Sequence, residues 1–172
     1  MGDLLFNPNG RILRNRFWQG LVILTVLTVL ISAASAMINP FLSLFGLLAV
    51  FPYICVYGKR LHDVGTTAWW SVGVWLASLL IGFVLGLVIG PFFIDAETIA
   101  IQQEIIERMQ AGDSEGMMAG LKIVSIRALP LNIISIVITN AVLGAIVGFL
   151  ATEARTNKHG PVPGASGADV FD

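Results

Sequence analysis

Three polar stretches interrupt an otherwise apolar chain, and they hold most of the side chains that could do chemistry. They are Gly10-Arg11-Ile12-Leu13-Arg14-Asn15-Arg16-Phe17-Trp18, then Lys59-Arg60-Leu61-His62-Asp63-Val64-Gly65 running on to Trp69-Trp70, and Asn157-Lys158-His159-Gly160-Pro161. Arg60 and Asp63 are three residues apart, a spacing that lets them pair on a helix, with Asp63 also placed to accept from backbone donors of the turn at Gly65. Arg11 and Arg14, likewise one helical turn apart, are placed to reach Asp63, lipid phosphates or a carbonyl-rich helix end. Three chemistries fit this set. One is a clasp that ties the three segments together. The second is a site for a lipid headgroup or small anion built from Arg11, Arg14, Arg60 and His62. The third is a metal site from His62, Asp63, His159 and Cys55, which lacks both the tight spacing and the Cys pair of a strong metal pattern.

Catalysis has little to rest on. The chain has no Gly-x-Ser-x-Gly, no phosphate loop and no His-Glu-x-x-His. His62 and Asp63 are adjacent, and adjacent side chains rarely aim at one atom, so no enzyme and no cofactor is expected. The lone Cys55 cannot form an intramolecular disulfide.

The elements that position these residues follow from composition. Of 172 residues, 56% are hydrophobic and 12% charged, with ten Lys plus Arg against eleven Asp plus Glu. Soluble domains carry about a quarter charged residues, so this balance, with a mean hydropathy of +0.83, points to a lipid environment. The near-neutral charge gives no reason to expect nucleic-acid binding.

Between Arg16 and Lys59 lie 42 uncharged positions, room for two helices of the roughly 20 residues that cross a hydrocarbon core. Asn39-Pro40 is the turn signal that divides them, and two further uncharged runs follow. The expected spans are 17–38, 41–57, 69–94 and 128–151, with Pro52 kinking the second near its end and Pro130 in the first turn of the fourth. The first run resembles a signal peptide in its leading arginines and Ala34-Ser35-Ala36, but it is long for a signal core and a second apolar run follows directly. The fold expected is thus an all-α integral membrane bundle of four helices. No Asp, Glu, Lys, Arg or His lies within the runs, which argues against an ion-coupled relay.

With four spans, the two termini share a side with the loop 58–68, and that side carries Arg11, Arg14, Arg16, Lys59, Arg60, Arg155 and Lys158. The other side holds Arg108, Lys122 and Arg127 with six acids. The excess of positive residues puts both termini in the cytoplasm and the 95–127 segment outside. Trp18, Trp69, Trp70 and Trp75 then gather near the cytoplasmic interface. In the outer segment Ile101, Ile105 and Met109 recur at helical spacing among Gln and Glu, which reads as an amphipathic helix on the outer leaflet or a docking surface for a partner. A second short helix is expected near Met117 to Val124.

Gly82, Gly86 and Gly90 on the third helix and Asn140, Gly144 and Gly148 on the fourth repeat every four residues. Such flat stripes let helix backbones approach closely in lipid, so the two helices are expected to pair, or one stripe to form a homodimer contact, with Asn140 in an interhelical hydrogen bond. Thr25, Thr28, Ser32 and Ser35 form a small polar stripe on the first helix, read as hydroxyls bonding their own i−4 carbonyls rather than a conducting path.

The three polar motifs, in order, resemble the bacterial inner-membrane family catalogued as domain of unknown function 805 (DUF805). Its pattern joins Gly-Arg-x-x-Arg-x-x-Phe-Trp, Arg-Leu-His-Asp-x-Gly before Trp-Trp, and Asn-x-x-Gly-Pro. The resemblance spans Asn7 to Pro163. It departs at Thr66-Thr67-Ala68, where relatives often have Ser-Gly, at His159, where an aromatic is usual, and in a longer outer segment. The expectation is a single membrane domain over residues 1–161 with a flexible cytoplasmic tail over 162–172. Its partners would be membrane lipids and another membrane protein or a second copy. Contact rather than catalysis is the expected mode of action, with a small oligomeric transporter or a ligand sensor as the alternatives.

Overall fold

The computed structural model describes residues 1–164. Six helices follow one another: α1 (Gly2–Phe6), α2 (Arg14–Met37), α3 (Phe45–Asp63), α4 (Trp70–Ile89), α5 (Ala96–Gln110) and α6 (Ser114–Gly148). Four are long and apolar enough to cross a membrane: α2, α3 with its leading 3-10 turn Pro40–Leu44, α4 with its trailing turn Gly90–Phe92, and α6. The expected tail lies, beyond residue 164, outside the described residues.

The span boundaries move in ways that matter for the site. The second helix does not stop at Tyr57. It runs on to Asp63, so Lys59, Arg60, His62 and Asp63 stand on its last turns rather than in a loop. Pro52 is therefore mid-helix, and buried, rather than near an end. Asn39 supplies the break before α3, its side chain accepting from the Phe41 N–H at 2.9 Å. Gly65, at φ +86°, makes the turn after α3 in a left-handed conformation that a side chain would strain.

The fourth span is one helix of 35 residues that absorbs the short helix expected at 117–124 and carries Pro130 in its interior. At 1.5 Å per residue it is about 52 Å long, so about 15 residues extend past a ~30 Å hydrocarbon core. α5 packs along this extension, with Ile101 and Ile105 against the bare backbone of Gly120. The helix expected to lie on the outer leaflet or to dock a partner thus also packs on the chain's own fourth span. Ile101 and Ile105 of its stripe are half-buried against the apolar face that α6 supplies, while Ile106 and Met109 stay exposed. Asp95 caps α5 through the Thr98 N–H at 2.8 Å, and Asp113 caps α6 through the Gly116 N–H at 2.9 Å. Thr98's hydroxyl and backbone N–H hold the Asp95 carboxyl below its ordinary range. The Gly116 N–H and Arg108 do the same for Asp113. Arg127 ties the base of this hairpin to Glu97 at 2.8 Å and Asp95 at 3.3 Å.

The third and fourth spans do pack together, as α4 against α6, but the central pairing is α2 with α6, and the two glycine stripes do not meet as expected. Gly144 and Gly148 do sit at a close approach, but the side chains over them are Leu21, Trp18 and Phe17 of α2. Gly82 and Gly86 have no atom within 4 Å of where a Cβ would stand, and Gly90 meets only Leu131 at 3.9 Å. A stripe of small residues permits close approach without choosing the partner; here the bulky aromatic residues at the start of α2 fill the flat face of α6. Asn140 lies one turn deeper on the same helix. Its amide donates to the hydroxyls of Thr25 at 2.8 Å and Tyr53 at 2.7 Å, linking three helices. Thr25 and Thr28 donate to the carbonyls four residues back, whereas Ser35 donates forward to the Pro40 carbonyl.

Candidate functional site: a clasp around Asp63

The three polar motifs meet at the end of the bundle where α3 and α6 finish and α2 begins. Asp63 stands at their centre with no exposure to solvent. One carboxylate oxygen accepts from Arg11 Nε at 3.2 Å and Nη2 at 3.1 Å. The other accepts from Arg60 Nη1 at 2.5 Å and from the Thr152 hydroxyl at 2.8 Å. The expected bonds to the Gly65 turn are absent; the Gly65 N–H donates to the His62 carbonyl instead.

Each arginine does more than pair with Asp63. Arg60 Nη2 donates to the carbonyls of Gly148 at 3.0 Å and Leu150 at 2.5 Å, which lie at the C-terminal end of α6. Arg14 Nε donates to the same Gly148 carbonyl at 3.0 Å and its guanidinium stands 5.5 Å from the Phe149 ring centroid. A helix ends in carbonyls without intrahelical partners and a partial negative charge, so two guanidinium groups there satisfy both. Arg11 precedes α2 rather than sharing a helical turn with Arg14. From that position it reaches across to the carbonyls of Glu153 at 2.6 Å and Arg155 at 2.9 Å. The Glu153 N–H donates to the Asp63 carbonyl at 2.8 Å, so the segment after α6 is stitched to α3 by backbone as well.

The third motif closes the arrangement. Asn157 donates to the His62 carbonyl at 3.0 Å and to Glu153 at 2.9 Å, and it bridges to Gly160. The Asn157 amide and then Arg155 hold the Glu153 carboxyl below its usual range. His159 stacks on His62 with centroids 3.7 Å apart and planes 8° from parallel. Stacked rings do not converge on a point, and His62 Nδ1 instead faces the Gly10 carbonyl at 3.1 Å. Among the described residues no group of three His, Cys, Asp or Glu is arranged to hold a metal. Gly160 offers its carbonyl to Arg11 at 3.4 Å, while Pro161 is exposed beside it.

Not every motif residue takes part. Trp18 packs over Gly144 and Gly148 and edge-on to Phe149. Trp69 and Trp70 point away and are 80% and 64% exposed, which suits rings anchored at a membrane interface better than clasp members. Conversely, Thr152 and Glu153 enter the clasp although no motif marks them; a short polar pair just past an apolar helix end is the signal that was there to read. Lys59 is buried against α1, donating to the Asp3 carbonyl, with the Asp3 carboxylate 3.8 Å away.

A four-span helical bundle with a polar clasp at one end defines a class: a helical membrane protein, multi-pass by composition. Within that class, residues 5–161 match the family described as "Protein of unknown function (DUF805)", and the chain belongs to it. No curated protein and no solved structure matches the chain.

Proposed function

We propose that the protein is a non-catalytic accessory, structural or assembly subunit of a bacterial inner membrane, with both termini cytoplasmic. It docks on a larger membrane complex or organises the lipid around it. The observation that carries this reading is the engagement of Arg11, Arg60, Asp63 and His62 with one another and with backbone, which leaves them as fasteners rather than reagents. In the most apolar 18-residue stretch of α4 no residue is buried, and Gly82 and Gly86 open onto empty space. That face suits lipid or another helix. The excess of Lys and Arg at the clasp end supports the orientation.

The test is purification of the full chain at native expression level into lipid nanodiscs, followed by native mass measurement. A stoichiometric complex with another membrane protein, lost on Gly86→Leu while the isolated chain melts as before, is the expected result. A particle of this chain and lipid alone would overturn the docking half of the reading. An oligomeric transporter lumen along Thr25, Thr28, Ser32 and Asn140 has less support, since Asn140 is bonded to Thr25 and Tyr53.

A second reading, a sensor of anionic headgroups, rests on a recess of about 490 Å³ between the N-terminal segment and the segment after α6, lined by Arg11, Arg16 and His159. His159 Nε2 is buried with no partner among the described residues. Nanodiscs of phosphatidylglycerol that raise the melting temperature no more than phosphatidylcholine would dismiss it.

A further inference from the structure

Inside the span region a second cavity lies among α2, α3, α4 and α6, lined by Thr28, Tyr53, Tyr57, Ser71, Trp75 and Asn140 together with apolar side chains. Its volume is about 200 Å³. That exceeds the ~150 Å³ that accommodates a benzene ring, so it has room for one ring or one stretch of chain, the rest of a two-chained lipid staying outside in the bilayer. None of the lining residues is Asp, Glu, Lys, Arg or His. A charged occupant would have no counter-charge at that depth, so the cavity suits a neutral one.

The hydrogens of its polar groups can be followed one by one. Thr28 gives its proton to the Leu24 carbonyl at 2.8 Å, so in its 3.3 Å contact with Tyr53 the tyrosine is the donor. Asn140 gives both amide protons, to Thr25 and Tyr53. Ser71 donates to the Ala68 carbonyl at 2.6 Å, and Ser78, also on the wall, donates to the Trp75 carbonyl at 2.6 Å. Tyr57 differs from these hydroxyls and this amide. It is 3% exposed and its hydroxyl is buried with no hydrogen-bond partner among the described residues. The hydroxyl is closed off from the cavity in this geometry, so an occupant's acceptor reaches it as the slot wall shifts, relieving the cost of about 1–3 kcal/mol that a buried unpaired hydroxyl carries. The geometry is that of small-molecule sites: apolar walls with a few polar groups that orient the ligand.

We propose that this cavity binds a neutral, lipid-soluble carbonyl compound, its ring or chain in the apolar slot and its oxygen accepting from the Tyr57 hydroxyl. The carbonyl could be supplied by the ester of an acyl lipid or by the ring of a prenylated quinone. The site is independent of the clasp and of the accessory reading.

The test uses the full chain in phosphatidylcholine nanodiscs with two photoreactive probes, a phosphatidylcholine bearing a diazirine in one acyl chain and a benzoquinone bearing one in its prenyl tail. Labelling is mapped by peptide mass spectrometry. Saturable labelling within 46–57 and 71–78 by one probe, competed by its unlabelled counterpart, is the expected result, and the probe that achieves it identifies the source of the carbonyl. Tyr57→Phe, which removes only an unpartnered group and so preserves the fold, should weaken apparent affinity about fivefold. Gly46→Leu should abolish labelling by filling the slot; Gly46 lines it and has no atom within 4 Å of a Cβ, so that variant also folds. Non-saturable labelling spread evenly over the outer face of α4 by both probes would overturn the proposal. So would labelling that Tyr57→Phe and Gly46→Leu leave unchanged, which would reduce the orphan hydroxyl to a packing defect.

Discussion

Arg11 and Asp63 are 52 positions apart in the chain and 3.1 Å apart in the structure, with the side chains of both essentially buried. Arg60 approaches the same carboxylate from the other side at 2.5 Å. One anion thus holds two cations, and each cation holds carbonyls beyond the end of α6 or at it. Removing the shared anion exposes the whole arrangement at once.

Asp63→Ala should therefore destabilise the protein by about 3–5 kcal/mol, the usual loss when one member of a buried ionic set is deleted and the others stay uncompensated. Thermal unfolding in detergent, followed by circular dichroism, measures it. Arg60→Lys should fail to preserve stability, because one ammonium cannot span Asp63, Thr152 and two carbonyls as the planar guanidinium does. A near-wild-type melting temperature for Asp63→Ala would mean that the clasp is not structural.

The two glycine stripes should respond in opposite ways. Gly144→Val drives a side chain into Leu21 and Trp18 and should cost about 1–3 kcal/mol by overpacking the α2–α6 contact. Gly82→Val and Gly86→Leu start from a Cβ position with no atom of the described residues within 4 Å and should change the stability of the isolated protein by less than about 0.5 kcal/mol. Parallel melting curves for the three variants decide it; equal losses would mean that the third helix packs elsewhere.

Asn140 should couple energetically to Tyr53. A double-mutant cycle of Asn140→Ala and Tyr53→Phe is expected to return a coupling of about 0.6–1.7 kcal/mol, the range for hydrogen bonds between helices in lipid. Additive losses would show that the amide and the phenol act separately.

The carboxyls of Asp95, Asp113 and Glu153 are all held low by hydrogen bonds made in the fold. Such groups stabilise the fold fully above the ordinary carboxylate pKa, and the contribution is lost as the pH falls through the lowered folded value. The α5–α6 hairpin and the segment after α6 should therefore loosen below about pH 4 while the spans persist. Hydrogen exchange corrected for its intrinsic pH dependence would show protection falling first in 96–127 and 150–160. The double variant Asp95→Asn, Asp113→Asn keeps a capping side chain at both helix starts and should flatten the acid response of the hairpin.

Much of this was legible in the residues. Uncharged runs of the right length announce four spans, because no polar backbone or charged side chain crosses hydrocarbon cheaply and the helix is the fold that hides the backbone within one segment. The three polar motifs announce a shared end of the bundle, since an even number of spans returns both termini and the α3–α4 connection to one side. Arg60 and Asp63 at a three-residue spacing already read as a pair. Tyr53 and Tyr57, the two tyrosines of the chain, stand four residues apart in a span that is otherwise almost entirely apolar, a spacing that sets both phenols on one face of that helix.

The tertiary structure alone decided which surfaces meet. Gly144 and Gly148 permit close approach but do not name Trp18 and Leu21 as the residues that make it. Periodicity in Ile101 and Ile105 marks an apolar stripe but not whether lipid or the extension of α6 covers it. The donors of Arg11 find Glu153 and Arg155 only because α6 ends within reach of the start of α2. Local composition determines what each segment must hide, whereas the choice of partner depends on shape and distance between segments remote in sequence, which no spacing along the chain encodes.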